Sequence, residues 1–150
     1  MIDIVHEDLT LRSFMLFMQT ARAVAKYSDS CFFQVSRLST AKYIVLKALK
    51  VNGGSLKHVD LANWTDTEPH NITALVRRMK AEGLVTTERS DDDKRVIYVR
   101  STEKGSKLFE EAAPMARGIM AQVMSGISKK EAAQLEKLLK ALKANTPKVC

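Results

Sequence analysis

Cysteine is nearly absent: the 150-residue chain holds two, Cys31 and Cys150. Two thiols make no disulfide framework, and a reducing compartment is the simpler expectation. Long hydrophobic runs are missing too, the longest being Phe14 to Met18, far short of a membrane span. Residues 1–8 contain no Lys or Arg and so lack the positive start of a signal peptide, which predicts a cytoplasmic protein with no membrane partner. Proline and glycine are sparse, at 3 and 6 residues, and the composition excludes disordered and collagen-like classes. There is no phosphate-cradling glycine loop and no nucleophile motif. No paired-carboxylate setting suited to catalysis stands outside the acidic stretch Asp91-Asp92-Asp93, so an enzyme is not expected. His6, His58 and His70 share no ligand spacing with each other or with cysteine, so neither a metal nor another cofactor is expected.

What is present suits an ordinary globular core. Hydrophobic residues make up 45% and charged residues 27% of the chain, and a chain of this size buries roughly two-thirds of its unfolded surface. No repeat or composition break marks a boundary, so residues 1–150 read as one domain. The formal charge of +7 is lumpy. Residues 34–58 carry Arg37, Lys42, Lys47, Lys50 and Lys57 with no acid, and residues 126–150 carry six Lys against two Glu. Residues 68–107 carry nine cations against seven acids. Such an excess serves nucleic acid, an anionic membrane or solubility alone; the C-terminal lysines read as a solvated helix face.

Periodicity divides the chain into elements. Leu9, Leu11, Phe14, Met15, Met18, Ala21, Val24 and Ala25 follow helical spacing and predict a helix from about Glu7 to Ser28. A second helix starts after Ser39, whose side chain can cap free N–H groups, and stops at Asn52-Gly53-Gly54. A short helix spans about Val59 to Trp64. The next, capped by Thr67 or a neighbour and tolerating Pro69 in its first turn, turns Ile72, Leu75, Val76 and Met79 to one face and ends at Gly83. His70, Asn71, Thr73, Ala74, Arg77 and Arg78 lie on its opposite face. Val85–Arg89 and Val96–Arg100 are β-branched and aromatic and flank a turn, predicting a hairpin. Thr102 caps a further helix with an irregularity at Pro114, and Ser128-Lys129-Lys130-Glu131 is a capping box opening the last one. The expectation is a mainly α chain with a small β-hairpin wing: a winged helix-turn-helix of about residues 38–103 between long terminal helices of about residues 5–30 and 104–145.

A helix suits the major groove when its exposed N-terminal half offers small polar groups to base edges and cations to phosphates. His70, Asn71, Thr73 and Arg77 meet that description, with Arg78 beside them. Asn pairs bidentately with adenine and Arg with guanine, so Asn71 and Arg77 are the leading base readers. In the hairpin, Asp91-Asp92-Asp93-Lys94-Arg95 places carboxylates where phosphates would repel them. Either this is a solvated charged turn, or an Asp accepts hydrogen bonds from Arg95 and turn N–H groups while the arginine enters the minor groove. In the second reading Lys94, Arg89 and Arg100 stay near phosphates.

The sequence resembles the MarR family of bacterial winged-helix regulators over nearly its whole length. The resemblance rests on Leu61-Ala62, Asn71-Ile72-Thr73 with Leu75-Val76, Met79-Lys80-Ala81-Glu82-Gly83-Leu84-Val85, Asp93-Lys94-Arg95 and Thr102-Glu103-Lys104-Gly105. Ser101 departs from the usual Leu, which is expected to loosen the wing base, and Met79 replaces a Leu of similar volume. The resemblance implies a homodimer with intertwined terminal helices that binds double-stranded DNA, with each recognition helix in the major groove and each wing arginine in the minor groove. Arg95 then matches the wing arginine and Asp93 its aspartate. Two terminal helices with more apolar stripe than one core can cover point independently to a symmetric dimer.

The family resemblance also implies a small, often phenolic effector. Phe14, Met15, Met18, Met115, Ile119 and Met120 are candidates to line its site, with Arg12 or Arg22 meeting an anionic group; the same stripe also suits core or dimer interface. The expected function is a dimeric, sequence-specific DNA-binding regulator, a repressor relieved by such an effector. Two alternatives stand beside it: a winged-helix protein-interaction module, and a redox sensor based on Cys31.

Overall fold

The computed structural model describes residues 8–35 and 37–148. His6, Glu7 and Cys150 therefore lie outside the described residues. The chain forms two compact units, Met1–Ile119 and Met120–Cys150.

The first unit opens with α1 (Leu9–Phe33). Asp8 caps it, its carboxylate accepting from the Thr10 and Leu11 N–H groups at 2.9 and 3.4 Å. The helix continues five residues past the expected end at Ser28, because its last turns supply the core: Ser28 and Phe32 are buried. Burial outweighs the weak helix preference of Ser28-Asp29-Ser30. Asp29 then accepts from the Thr40 N–H at 2.9 Å, tying the end of α1 to the start of α2 (Thr40–Val51). Ser39 caps α2 as expected, accepting from the Lys42 N–H at 3.2 Å.

A strand absent from the sequence reading follows. β1 (Ser55–Lys57) is three residues long, too short to show alternation. It pairs antiparallel with β3 (Ile97–Ser101), which also pairs with β2 (Val85–Arg89), so the sheet order is β1-β3-β2. Val99, opposite both Leu56 and Thr87, is fully buried. The Ser101 N–H donates to the Gly54 carbonyl at 3.0 Å, so the ladder holds to the end of β3 despite the serine. The wing is thus two strands of a three-stranded sheet, not an isolated hairpin.

Between β1 and β2 lie α3 (His58–Trp64) and α4 (Pro69–Ala81). Leu61 and Ala62 of α3, and Ile72, Leu75, Val76 and Met79 of α4, join Val45, Leu46, Ala48 and Leu49 of α2 in one core. Thr67 is not the cap of α4. Its hydroxyl donates to the Thr65 carbonyl, and the cap position is Glu68, which makes no side-chain cap bond. Pro69 at the first turn has no N–H to satisfy, which lessens the need for a side-chain cap.

The exit from α4 explains why Gly83-Leu84 and Thr102-Glu103-Lys104-Gly105 occur together. Gly83 has φ +77°, and the Gly83 and Leu84 N–H groups bond back to the Lys80 and Met79 carbonyls, closing the helix in a Schellman turn. Thr102 donates its hydroxyl to the Gly83 carbonyl at 2.6 Å, accepts from the Gly105 N–H at 3.0 Å, and donates its own N–H to the Leu84 carbonyl at 3.1 Å. Lys104 donates to the Glu82 carbonyl at 2.7 Å. A Cβ on Gly105 would collide with the Leu84 carbonyl oxygen. The start of α5 (Glu103–Val123) is locked onto the exit of α4 in this way. α5 is unbroken at exposed Pro114, where an irregularity was expected, and adds Leu108, Ala112 and Ile119 to the core.

The second unit consists of the end of α5, a turn through Gly126, and α6 (Lys129–Asn145). Ser128 and Glu131 form the expected capping box, the Glu131 N–H reaching Ser128 Oγ at 3.1 Å and the Ser128 N–H reaching Glu131 Oε1 at 3.0 Å. Leu135, Leu138, Leu139 and Leu142 are exposed along α6. In the first unit, α1 likewise exposes Leu9, Leu11, Phe14, Leu16 and Phe17.

Candidate nucleic-acid interface

Burial of Ile72, Leu75, Val76 and Met79 fixes the rotation of α4 about its axis. The remaining face then points outward, and His70, Asn71, Thr73, Ala74, Arg77 and Arg78 are all exposed there. Thr73 has its hydroxyl engaged locally: Oγ1 lies 2.9 Å from the Pro69 carbonyl oxygen and 3.1 Å from His58 Nε2. Asn71 and Arg78 border a second groove, of about 410 Å³, with Ala41 and Ile44 of α2.

The wing resolves the paradox of its carboxylates. Asp93 accepts from Arg95 three times: from the backbone N–H at 3.0 Å, from Nε at 3.1 Å and from Nη2 at 3.2 Å. The guanidinium bonds first, and the backbone N–H second, hold the Asp93 carboxyl below its ordinary range. The Arg95 side chain nevertheless stays 92% exposed; it is oriented but not covered. Arg89 reinforces the turn by donating to the Lys94 carbonyl at 2.8 Å, while Arg100 faces Glu88 at 3.5 Å. Of the cations expected near phosphates, Lys94 is exposed, whereas Arg89 and Arg100 also serve the wing itself.

Helix and wing meet across a cleft of about 380 Å³ whose lining includes Lys57, His58, Thr73, Arg77, Lys80 and Arg95. Among the described residues no carboxylate lines it. Lys80 is steadied by donating to Thr87 Oγ1 of β2 at 2.9 Å. A concave surface with four fixed cations and apolar walls is suited to a polyanion backbone.

Comparison with known proteins agrees with this geometry. The family model described as "Transcriptional regulator SarA/Rot" matches residues 31–112. The HTH-type transcriptional repressor IacR of Pseudomonas putida is 30% identical over 84% of this chain and 76% of its own length. The HTH-type transcriptional repressor MdtR of Bacillus subtilis is 30% identical over 65% of this chain, which spans 62% of that relative's length. The organohalide-sensing regulator RdhR-CbdbA1625, solved with 2,4-dichlorophenol, superposes with a TM-score of 0.84 at 25% identity, covering 97% of this chain and 88% of that one. Sco3205, a MarR family regulator of Streptomyces coelicolor solved with DNA, shares the fold, with a TM-score of 0.85 at 16% identity over 94% and 91% of the two chains. The chain belongs to the MarR and SarA/Rot group of winged-helix transcriptional regulators.

In this MarR-type chain the residues named for an effector do not share one environment. Ile119 is buried in the core and Met115 packs against it. Met15 is half-buried, while Arg12, Phe14 and Met18 are exposed on α1. The sequence reading missed an aromatic stack in which Tyr43 lies between Phe32 and Phe109, with ring centroids 4.8 and 5.4 Å apart. Burial raises the Tyr43 hydroxyl's pKa, and Arg117 opposes that shift. Nothing in the spacing of residues 32, 43 and 109 signals this stack, because three separate helices bring them together. Cys31 is half-buried against the core, hydrogen-bonded with Tyr27, whose pKa it raises. Among the described residues no cluster of His, Cys, Asp or Glu suits a metal ion, and no helix is long and apolar enough to cross a membrane.

Proposed function

We propose that this MarR-type protein is a dimeric, sequence-specific repressor of transcription. α4 enters the major groove, where Asn71 and Arg77 read base edges and His70, Thr73 and Arg78 assist. The wing enters the minor groove through Arg95, with Asp93 orienting it and Lys94 at the backbone. The observation that carries this reading is the Asp93–Arg95 fork, which presents an exposed guanidinium beside the same cation-lined cleft that Arg77 borders. A cation placed this way suits the narrow minor groove, whose potential attracts arginine. The exposed apolar residues of α1 and of α6 support dimerisation, and twofold symmetry calls for half-sites about one helical turn apart. The repressor names of MdtR and IacR favour repression over activation.

The proposal includes a single domain spanning residues 1–150, a cytoplasmic location and no catalytic activity. It also includes relief by a small aromatic effector, supported by the phenol-bound state of RdhR-CbdbA1625 and by the Phe32–Tyr43–Phe109 stack. Arg12, Phe14, Met15, Met18, Met115 and Ile119 are the residues proposed to meet it. In vitro selection of bound DNA from random fragments tests the function. Recovery of an inverted repeat supports it, and unenriched sequence contradicts it.

A further inference from the structure

The cleft between helix and wing contains an imidazole that the DNA-binding reading does not use. His58, the first residue of α3, is half-buried there, with Nε2 3.1 Å from Thr73 Oγ1. The Thr73 hydroxyl has one proton, and its other neighbour, the Pro69 carbonyl oxygen at 2.9 Å, can only accept. Thr73 therefore donates to Pro69, which leaves Thr73 Oγ1 as the acceptor and His58 Nε2–H as the donor. That arrangement fits the neutral ring protonated on Nε2 and the imidazolium equally. Adding a proton at Nδ1 breaks nothing and gives the cleft one more charge and one more donor.

The charged groups around the ring are Lys57 of β1, Arg77 and Lys80 of α4, and Arg95 of the wing, with Tyr98 opposite Lys57 in the sheet and Asp60 on α3 itself. The fixed charges lining the cleft are all positive. We infer that His58 is a proton-linked DNA-binding residue: a backbone phosphate seated in the cleft favours the charged imidazole, so binding takes up as many as one proton per protomer from solvent. This rests on the reading of the cleft as the DNA-facing surface. His58 also acts as a positioning residue, since its bond to Thr73 helps to orient that side chain at the groove. The consequence is an affinity for DNA that strengthens with mild acidification.

The test is a binding titration on a fluorescent duplex recovered by in vitro selection, carried out in a His70→Gln background so that the ring on α4 does not contribute. Between about pH 8 and about pH 6 the affinity is expected to rise about threefold to tenfold, within the limit for uptake of one proton. His58→Gln keeps a donor toward Thr73 and is expected to lose most of the rise between the two pH values. In the protein without that substitution, NMR titration of the His58 ring should show a larger protonated fraction when duplex is added. An unchanged pH response in His58→Gln, or a ring indifferent to duplex, overturns the inference and leaves the DNA reading intact. Absence of duplex binding by the parent protein at either pH overturns both.

Discussion

Arg95 and Asp93 form a two-point fork, with Nε and Nη2 of the guanidinium 3.1 and 3.2 Å from the two carboxylate oxygens. The acid at the wing tip therefore organises the cation it would otherwise seem to cancel. A lowered carboxyl is ionised, and the fork intact, at and above the ordinary carboxylate range. The fork is lost only as pH falls through the depressed folded value. The wing is thus expected to keep its NMR signature across the neutral range and to lose the protected Arg95 Nε–H signal only in acid below about pH 4. Asp93→Asn should lose that acid transition and bind DNA less tightly at neutral pH.

Asn71 is exposed in the first turn of α4. Asn71→Ala should relax base preference at one position of each half-site, costing about 1–3 kcal/mol on the preferred sequence. Binding to unrelated DNA should change little. Competition between a selected duplex and its single-base variants measures the difference.

The basic stretch of residues 34–58 is less available to DNA than its charge suggests. Lys42 is paired with Glu82 at 2.7 Å and Lys50 with Glu110 at 3.4 Å, while Lys57 lines the cleft. Lys57→Gln is accordingly expected to make the salt dependence of DNA binding shallower by about 0.9 in log–log slope per protomer, roughly 1.8 for the dimer, the value for one released counterion at each half-site. Lys50→Gln should leave the slope unchanged.

Gly105 has no room for a side chain because the Leu84 carbonyl occupies the position of its Cβ. Gly105→Ala should destabilise the fold by about 1–3 kcal/mol, the usual cost of overpacking, read as a lower midpoint in urea. Gly118, with open space around its Cβ position, should tolerate alanine.

Much of this was legible in the sequence, for identifiable reasons. Ser39, Thr102 and Ser128 announced their helices because capping is local chemistry. The outward face of α4 followed from four buried residues at helical spacing. β1 was not legible, since three residues carry no period and its pairing partner lies over forty positions away. The end of α1 was misplaced because Ser28 and Phe32 are held helical by burial. Of Thr67 and its neighbours, the cap position fell to Glu68, while the Thr67 hydroxyl is spent on Thr65. His58 was weighed only as a metal ligand; its proximity to Thr73 depends on how α3 crosses α4, which spacing does not encode.

The central claim is that α4 and the wing grip one DNA duplex together. It is tested most directly by titrating a selected duplex with the parent protein and Arg95→Ala at several salt concentrations. The account predicts that Arg95→Ala binds about tenfold to a hundredfold more weakly, ~1–3 kcal/mol, with a shallower salt slope. Equal affinity and equal slope for the two proteins would contradict it.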